Sequence, residues 1–170
     1  MSASAIRSRT EHVVGIAEML VSTDPYATLV TYALGSCLGI TVHDPVNRVG
    51  GLLHVMLPSS EIDSERAHRN PCMFVDTGVP ELFRACYRAG AEKSRIILKV
   101  AGGAFGAEDE AADRFQVGRR NLLTLRKLLW KNGVIIRAED VGGERTSRNL
   151  SLRLSTGEVF VKANGRDSLL

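Results

Sequence analysis

The chain has 170 residues, 44% of them hydrophobic and 24% charged, which is enough apolar material for one buried core and too much for a disordered tail. Its 22 Lys and Arg against 19 Asp and Glu leave a formal charge of +3, and aromatics make up only 5%, so no basic aromatic platform for stacking bases is expected and nucleic acid is not an expected partner. No run approaches the ~18 apolar residues of a membrane span, and the opening MSASAIRSRT lacks the apolar stretch of a secretory signal; a cytoplasmic chain with no membrane insertion is predicted.

No repeat, low-complexity block or linker divides the chain, so a single domain over 1–170 is expected, with a core at about 13–161 and flexible tails. Residues 13–16 read as a short strand and ATLVTYAL at 27–34 as another. Gly35-Ser36-Cys37 forms a bend before the strand LGITVH at 38–43. Asp44-Pro45-Val46-Asn47 has turn chemistry, and GGLLHVMLP at 50–58 returns as the second arm of a hairpin. The polar, aperiodic stretch 59–70 reads as a surface loop. Val75, Val79, Leu82, Phe83 and Cys86 then recur at helical spacing, with Asp76 or Thr77 as N-cap and Gly90 as stop. A buried strand at 94–100, a loop at 101–113, a helix at 118–132 with Leu122, Leu125 and Leu129 inward, a strand at 134–140 and a hairpin around Ser155-Thr156-Gly157 complete the reading. Strands joined mostly by turns and outnumbering helices predict an α+β fold, with mainly antiparallel or mixed sheets packed together and flanked by helices.

Cys37, Cys72 and Cys86 are odd in number, widely spaced and without a CxxC pair, so neither a disulfide framework nor a zinc site is expected, and no metal cluster emerges from the histidines. His12, His43 and His68 read as solvated, and Cys72 and Cys86 as structural. The Gly102-Gly103 pair with Gly106 lacks the Lys-Ser/Thr ending of a phosphate loop and reads as a tight turn. Cys37 and His54 are different. A two-residue hairpin loop at 45 and 46 would set Cys37 opposite His54, and a longer loop would set them on a diagonal. Cβ atoms about 5 Å or about 7–8 Å apart on one face would result, both within reach. A thiol beside an imidazole can do acyl transfer, since an imidazolium lowers the thiol pKa and protonates the leaving group. Thr31, six residues before Cys37, can orient the imidazole through its hydroxyl or its carbonyl. Against this stand a buried structural cysteine, a core histidine in LLHVM and an ordinary strand threonine.

TYALGSCLGITVHDP followed by GGLLHVMLP resembles the chemoreceptor glutamine deamidase family, CheD, and FVDTGVPELF, KVAGGAF, QVGRRN and AEDVGGERTSRNL resemble that family's later blocks in the same order. The resemblance, from about 13 to 161, implies a protein-glutamine amidohydrolase that converts glutamines of chemoreceptor cytoplasmic helices to glutamate with release of ammonia. It implies Cys37 as nucleophile, His54 as its acid and base and Thr31 as the third member; the mechanism expected of them meets the oxyanion at backbone N–H groups near Gly35 and Ser36 and needs no metal or organic cofactor. It also implies an architecture like the deamidase domain of cytotoxic necrotizing factor toxins, and a CheC-type phosphatase as a second partner. The rival readings are a transglutaminase or cysteine protease using the same thioester, a non-catalytic regulator binding the phosphatase or receptor, and a structural protein with an incidental Cys-His pair.

Overall fold

A computed structural model of the chain describes residues 8–106 and 113–170. Two strands set its layering: β4 (Leu38–Asp44) and β5 (Val49–Val55) are buried at every position, as strands must be when both faces of their sheet are covered. They lie near the centre of a five-stranded sheet whose order is β2 (Glu18–Ser22), β5, β4, β6 (Ile97–Gly102), β7 (Ile136–Val141). The second sheet runs β1 (Thr10–Val13), β3 (Ala27–Leu34), β8 (Arg148–Arg153), β9 (Val159–Ala163), β10 (Arg166–Leu169). Leu29, Leu34, Leu150 and Leu152 of this sheet meet Leu52 and Ala101 of the other and form an inter-sheet core. On the far face of the first sheet, Leu38, Ile40, Leu53 and Val55 pack against helices α2 (Val75–Arg88) and α3 (Val117–Lys131) through Val79, Leu82, Cys86, Leu122 and Leu125. Pairing is antiparallel except for β1 with β3 and β6 with β7. The expected α+β class of mixed sheets with flanking helices is what the chain adopts.

Turn chemistry decides the central register. The buried Asp44 carboxylate accepts from the N–H groups of Val46 and Asn47, at 2.9 and 3.2 Å, and Arg48 takes a left-handed conformation before β5 begins. The connection is therefore four residues long, Asp44 faces Val49, and Gly39 rather than Cys37 faces His54. The tight register is not formed; the longer-loop alternative, with Cys37 and His54 diagonal, is. Burial alone would raise the Asp44 carboxyl, but the Arg95 guanidinium and the N–H groups of Glu92, Asn47 and Val46 outweigh it and hold the group well below the usual carboxylate range.

Several local expectations are corrected. The strand expected at 13–16 lies earlier, since pairing ends at Val13 and residues 14–17 cross from one sheet to the other. The expected loop at 59–70 carries a 3-10 turn at Ser60–Ile62 and a short helix α1 (Ser64–Arg69), capped by Asp63 accepting from the Arg66 N–H. Neither Asp76 nor Thr77 caps α2, which starts behind Phe74: Asp76 accepts from the N–H and hydroxyl of Ser60, and the Thr77 hydroxyl donates to the Pro71 carbonyl. The strand expected at 94–100 is preceded by a 3-10 turn at Lys93–Arg95 and runs on to Gly102. Strands β2 and β10 were not anticipated. His43 is buried rather than solvated, because it points between the sheets beneath Gly157. The opening segment 1–7 and residues 107–112 of the expected loop at 101–113 lie outside the described residues. Among the described residues no helix is long and apolar enough to cross a membrane.

Candidate active site

Alternation along β4 and β5 sends Leu38, Ile40 and Leu53 toward the helices and leaves Gly39, Leu52 and His54 facing the second sheet. Cys37, one residue ahead of β4, is half-buried on this same side, packed against the inter-sheet core. Gly39, between them in register, has no side chain to intrude, and a Cβ there would stand 2.7 Å from Leu150 and 2.8 Å from Leu34. The second sheet supplies the third residue. Thr31 of β3, fully buried, places its Oγ1 2.7 Å from His54 Nδ1 and 2.8 Å from the Val14 carbonyl. A carbonyl can only accept, so the Thr31 hydroxyl proton goes to Val14 and the oxygen accepts from Nδ1–H. The hydroxyl, not the Thr31 carbonyl, is therefore what meets the ring. This assigns the neutral imidazole a single tautomer with Nε2 unprotonated, and Nε2 is buried with no hydrogen-bond partner.

Electrostatics departs from the expected imidazolium-thiolate pair. Burial pushes the Cys37 thiol up to about 11, opposed by its own backbone N–H, and burial pushes the His54 imidazole down to about 4. Burial thus favours the neutral form of both groups near pH 7. Cys86, pushed up to about 12 by burial, and Cys72, also raised chiefly by burial, belong to the core on the helix side of the first sheet, the face opposite His54.

The bend before Cys37 is held by its carbonyls. Gly35 C=O accepts from Ala104 N–H at 2.9 Å, Cys37 C=O from Gly103 N–H at 2.9 Å, and Ser36 C=O from Asn121 Nδ2 at 3.0 Å. Among the described residues the N–H groups of Ser36 and Cys37 donate to no other backbone group. A Cβ on Gly35 would meet nothing within 4 Å, so the bend is open on its outer side. The backing segment depends on Gly102, with φ +113, where a Cβ would fall 2.1 Å from the Cys37 oxygen. The glycine pair read as a tight turn is thus the rear support of the bend. Beside Ser36 a cleft of about 420 Å³ is lined by Phe105, Gln116, Gly118 and Arg119. Sequence reasoning missed Asn121, whose signal is a polar residue one position before Leu122 and four before Leu125 on the inward stripe of α3. Among the described residues no three His, Cys, Asp or Glu side chains are grouped to hold a metal ion.

A family model described as CheD chemotactic sensory transduction matches residues 56–163. A protein of Syntrophus aciditrophicus named probable chemoreceptor glutamine deamidase CheD 1 is 47% identical over 153 residues, covering 90% of this chain and 94% of that one. A probable chemoreceptor glutamine deamidase CheD of Solibacter usitatus is 43% identical, covering 93% and 92%. One from Pyrococcus abyssi is 41% identical, covering 89% and 86%.

Proposed function

The chain belongs to the CheD family, and on that premise we propose that it is a chemoreceptor glutamine deamidase in which Cys37 attacks the side-chain carboxamide of receptor glutamines. The observation that carries the residue assignment is the Thr31 hydroxyl accepting from His54 Nδ1–H, which leaves Nε2 as a bare base on the side of the sheet where Cys37 sits.

The resting pair is neutral, so the thiol proton passes to His54 Nε2 as sulfur adds to the amide carbon. The tetrahedral oxyanion forms beside the N–H groups of Ser36 and Cys37, and removal of one such donor elsewhere costs roughly 10²–10³ in rate. His54 returns the proton to the departing nitrogen, the C–N bond breaks, and ammonia leaves a thioester on Cys37. Water, deprotonated by the same Nε2, hydrolyses the thioester to glutamate and restores the thiol. The chemistry asks for no metal or organic cofactor. Each event replaces a neutral amide with a carboxylate on a packed receptor helix, where like charges three or four residues apart repel. A cytoplasmic setting and a CheC-type phosphatase as a second partner rest on the family resemblance.

The test is Cys37→Ala incubated with a receptor fragment from the same organism, read by ammonia release and by the gain of about one dalton per converted glutamine. Loss of at least about 10³-fold is expected, and retained activity would end the nucleophile assignment. Adding a primary amine separates the hydrolase from a transglutaminase, which would give an amine adduct in place of glutamate.

A further inference from the structure

Asn121 has no part in that chemistry, yet it is fully buried and touches both halves of the site. Its Nδ2 donates to the Ser36 carbonyl and to the Met56 carbonyl, each at 3.0 Å. Ser36 immediately precedes Cys37 and Met56 lies two residues past His54, so one amide spans the segments carrying the thiol and the imidazole. Because both partners can only accept, the amide is fixed in this orientation, and Oδ1 is left buried without a partner. A residue present only to fill the helix interface would not carry that standing cost.

The peptide between Ser36 and Cys37 is trans and planar, so its C=O and N–H point in opposite directions. Drawing the Ser36 carbonyl toward α3 therefore turns the Cys37 N–H away from the helix, on the residue that carries the attacking sulfur. An oxygen on the carbon that sulfur attacks would form next to that donor. Resting on the deamidase reading above, we infer that Asn121 is a positioning residue: through the Ser36 carbonyl it aims the Cys37 N–H at the oxyanion, and through Met56 it keeps the segment following His54 in step. The Ala104 N–H does the same for the Ser36 N–H by way of the Gly35 carbonyl, but that contact is backbone and no side-chain change removes it.

Two variants of the full chain test this: Asn121→Asp, equal in shape but presenting an oxygen where Nδ2 donated, and Asn121→Ala. Three readouts are compared with the wild type: ammonia release from a receptor fragment, alkylation of Cys37 by iodoacetamide, and affinity for a receptor peptide whose target glutamine side chain ends in an aldehyde. The aldehyde adduct is a hemithioacetal, its thiol proton going to His54 Nε2 or to its own oxygen, and it sets that oxygen where the oxyanion forms, whereas alkylation displaces iodide from a methylene carbon and sets no oxygen there. The expected result is a fall in kcat of about 10²–10³-fold with KM changed less than about threefold, a parallel loss of aldehyde affinity, and an alkylation rate within about threefold of wild type. Turnover near wild type overturns the inference. So does alkylation falling in parallel with turnover, or failure of both variants to fold, since each assigns Asn121 to general structure. A wild-type chain that is alkylated at Cys37 but neither releases ammonia nor binds the aldehyde refutes the underlying deamidase reading and this inference with it.

Discussion

Replacing Thr31 by Val keeps the outline of the side chain and removes its oxygen. The His54 Nδ1–H then loses its acceptor and the Val14 carbonyl loses the hydroxyl donor, both in the interior. Stranding a buried polar group costs about 1–3 kcal/mol, so the two together predict a loss of about 2–6 kcal/mol in folding stability, readable as a lower urea midpoint at unchanged slope. The effect on rate has a different origin. Without an acceptor at Nδ1 the neutral ring is free to carry its proton on Nε2, which blocks the base, and removal of a tautomer-fixing group from a catalytic His elsewhere costs on the order of 10⁴ in kcat. A fall of about 10²–10⁴-fold in ammonia release is therefore expected for Thr31→Val. Thr31→Ser separates the two contributions: it keeps both hydrogen bonds, loses one buried methyl at about 1 kcal/mol, and should retain turnover within about tenfold. Equal turnover by the Val and Ser variants would refute the tautomer argument, because only the oxygen distinguishes them in this respect.

The thiol's burial predicts that iodoacetamide labelling of Cys37 without substrate keeps rising through about pH 9–10, since only the thiolate reacts; a plateau below about pH 8 would mean that an ion pair already exists. Cys37 should nonetheless be labelled before Cys72 and Cys86, which are buried. Gly102→Ala introduces a Cβ 2.1 Å from the Cys37 oxygen at φ +113, and the combined strain and displacement should cost about 2–4 kcal/mol together with most of the turnover. An unchanged urea midpoint for this variant would show that the bend is not braced from behind.

What was legible in the sequence follows from where burial and pattern agree. Strand β3, the β4–β5 hairpin and both long helices announced themselves, because their apolar spacing, the Asp44-Pro45 turn and the stop at Gly90 all point the same way. Strand β1 was displaced because Val13 and Ile16 look like a buried run but are more than half exposed. β2 is a short edge strand entered through Ala17 at φ +59, which no side-chain pattern signals, and β10 is exposed at every residue, so it shows no alternation. The Cys37–His54 relation could be framed as hairpin arithmetic, with the loop length undecided. The Thr31–His54 contact joins different sheets, and no local rule brings 31 to 54; the sequence offered Thr31 only through its nearness to Cys37, and the family resemblance grouped it with His54. Asn121 was hidden for a similar reason, since its partners lie 85 and 65 residues away in sequence.

His54 is wholly enclosed, whereas Cys37 reaches partway to the surface. In the proposed mechanism a substrate arriving from solvent therefore meets the sulfur first, and the imidazole acts from the enclosed side. A glutamine joined to that sulfur stands between the base and the outside. Ammonia has to clear before hydrolytic water can take its place, which imposes an order of traffic on the two half-reactions.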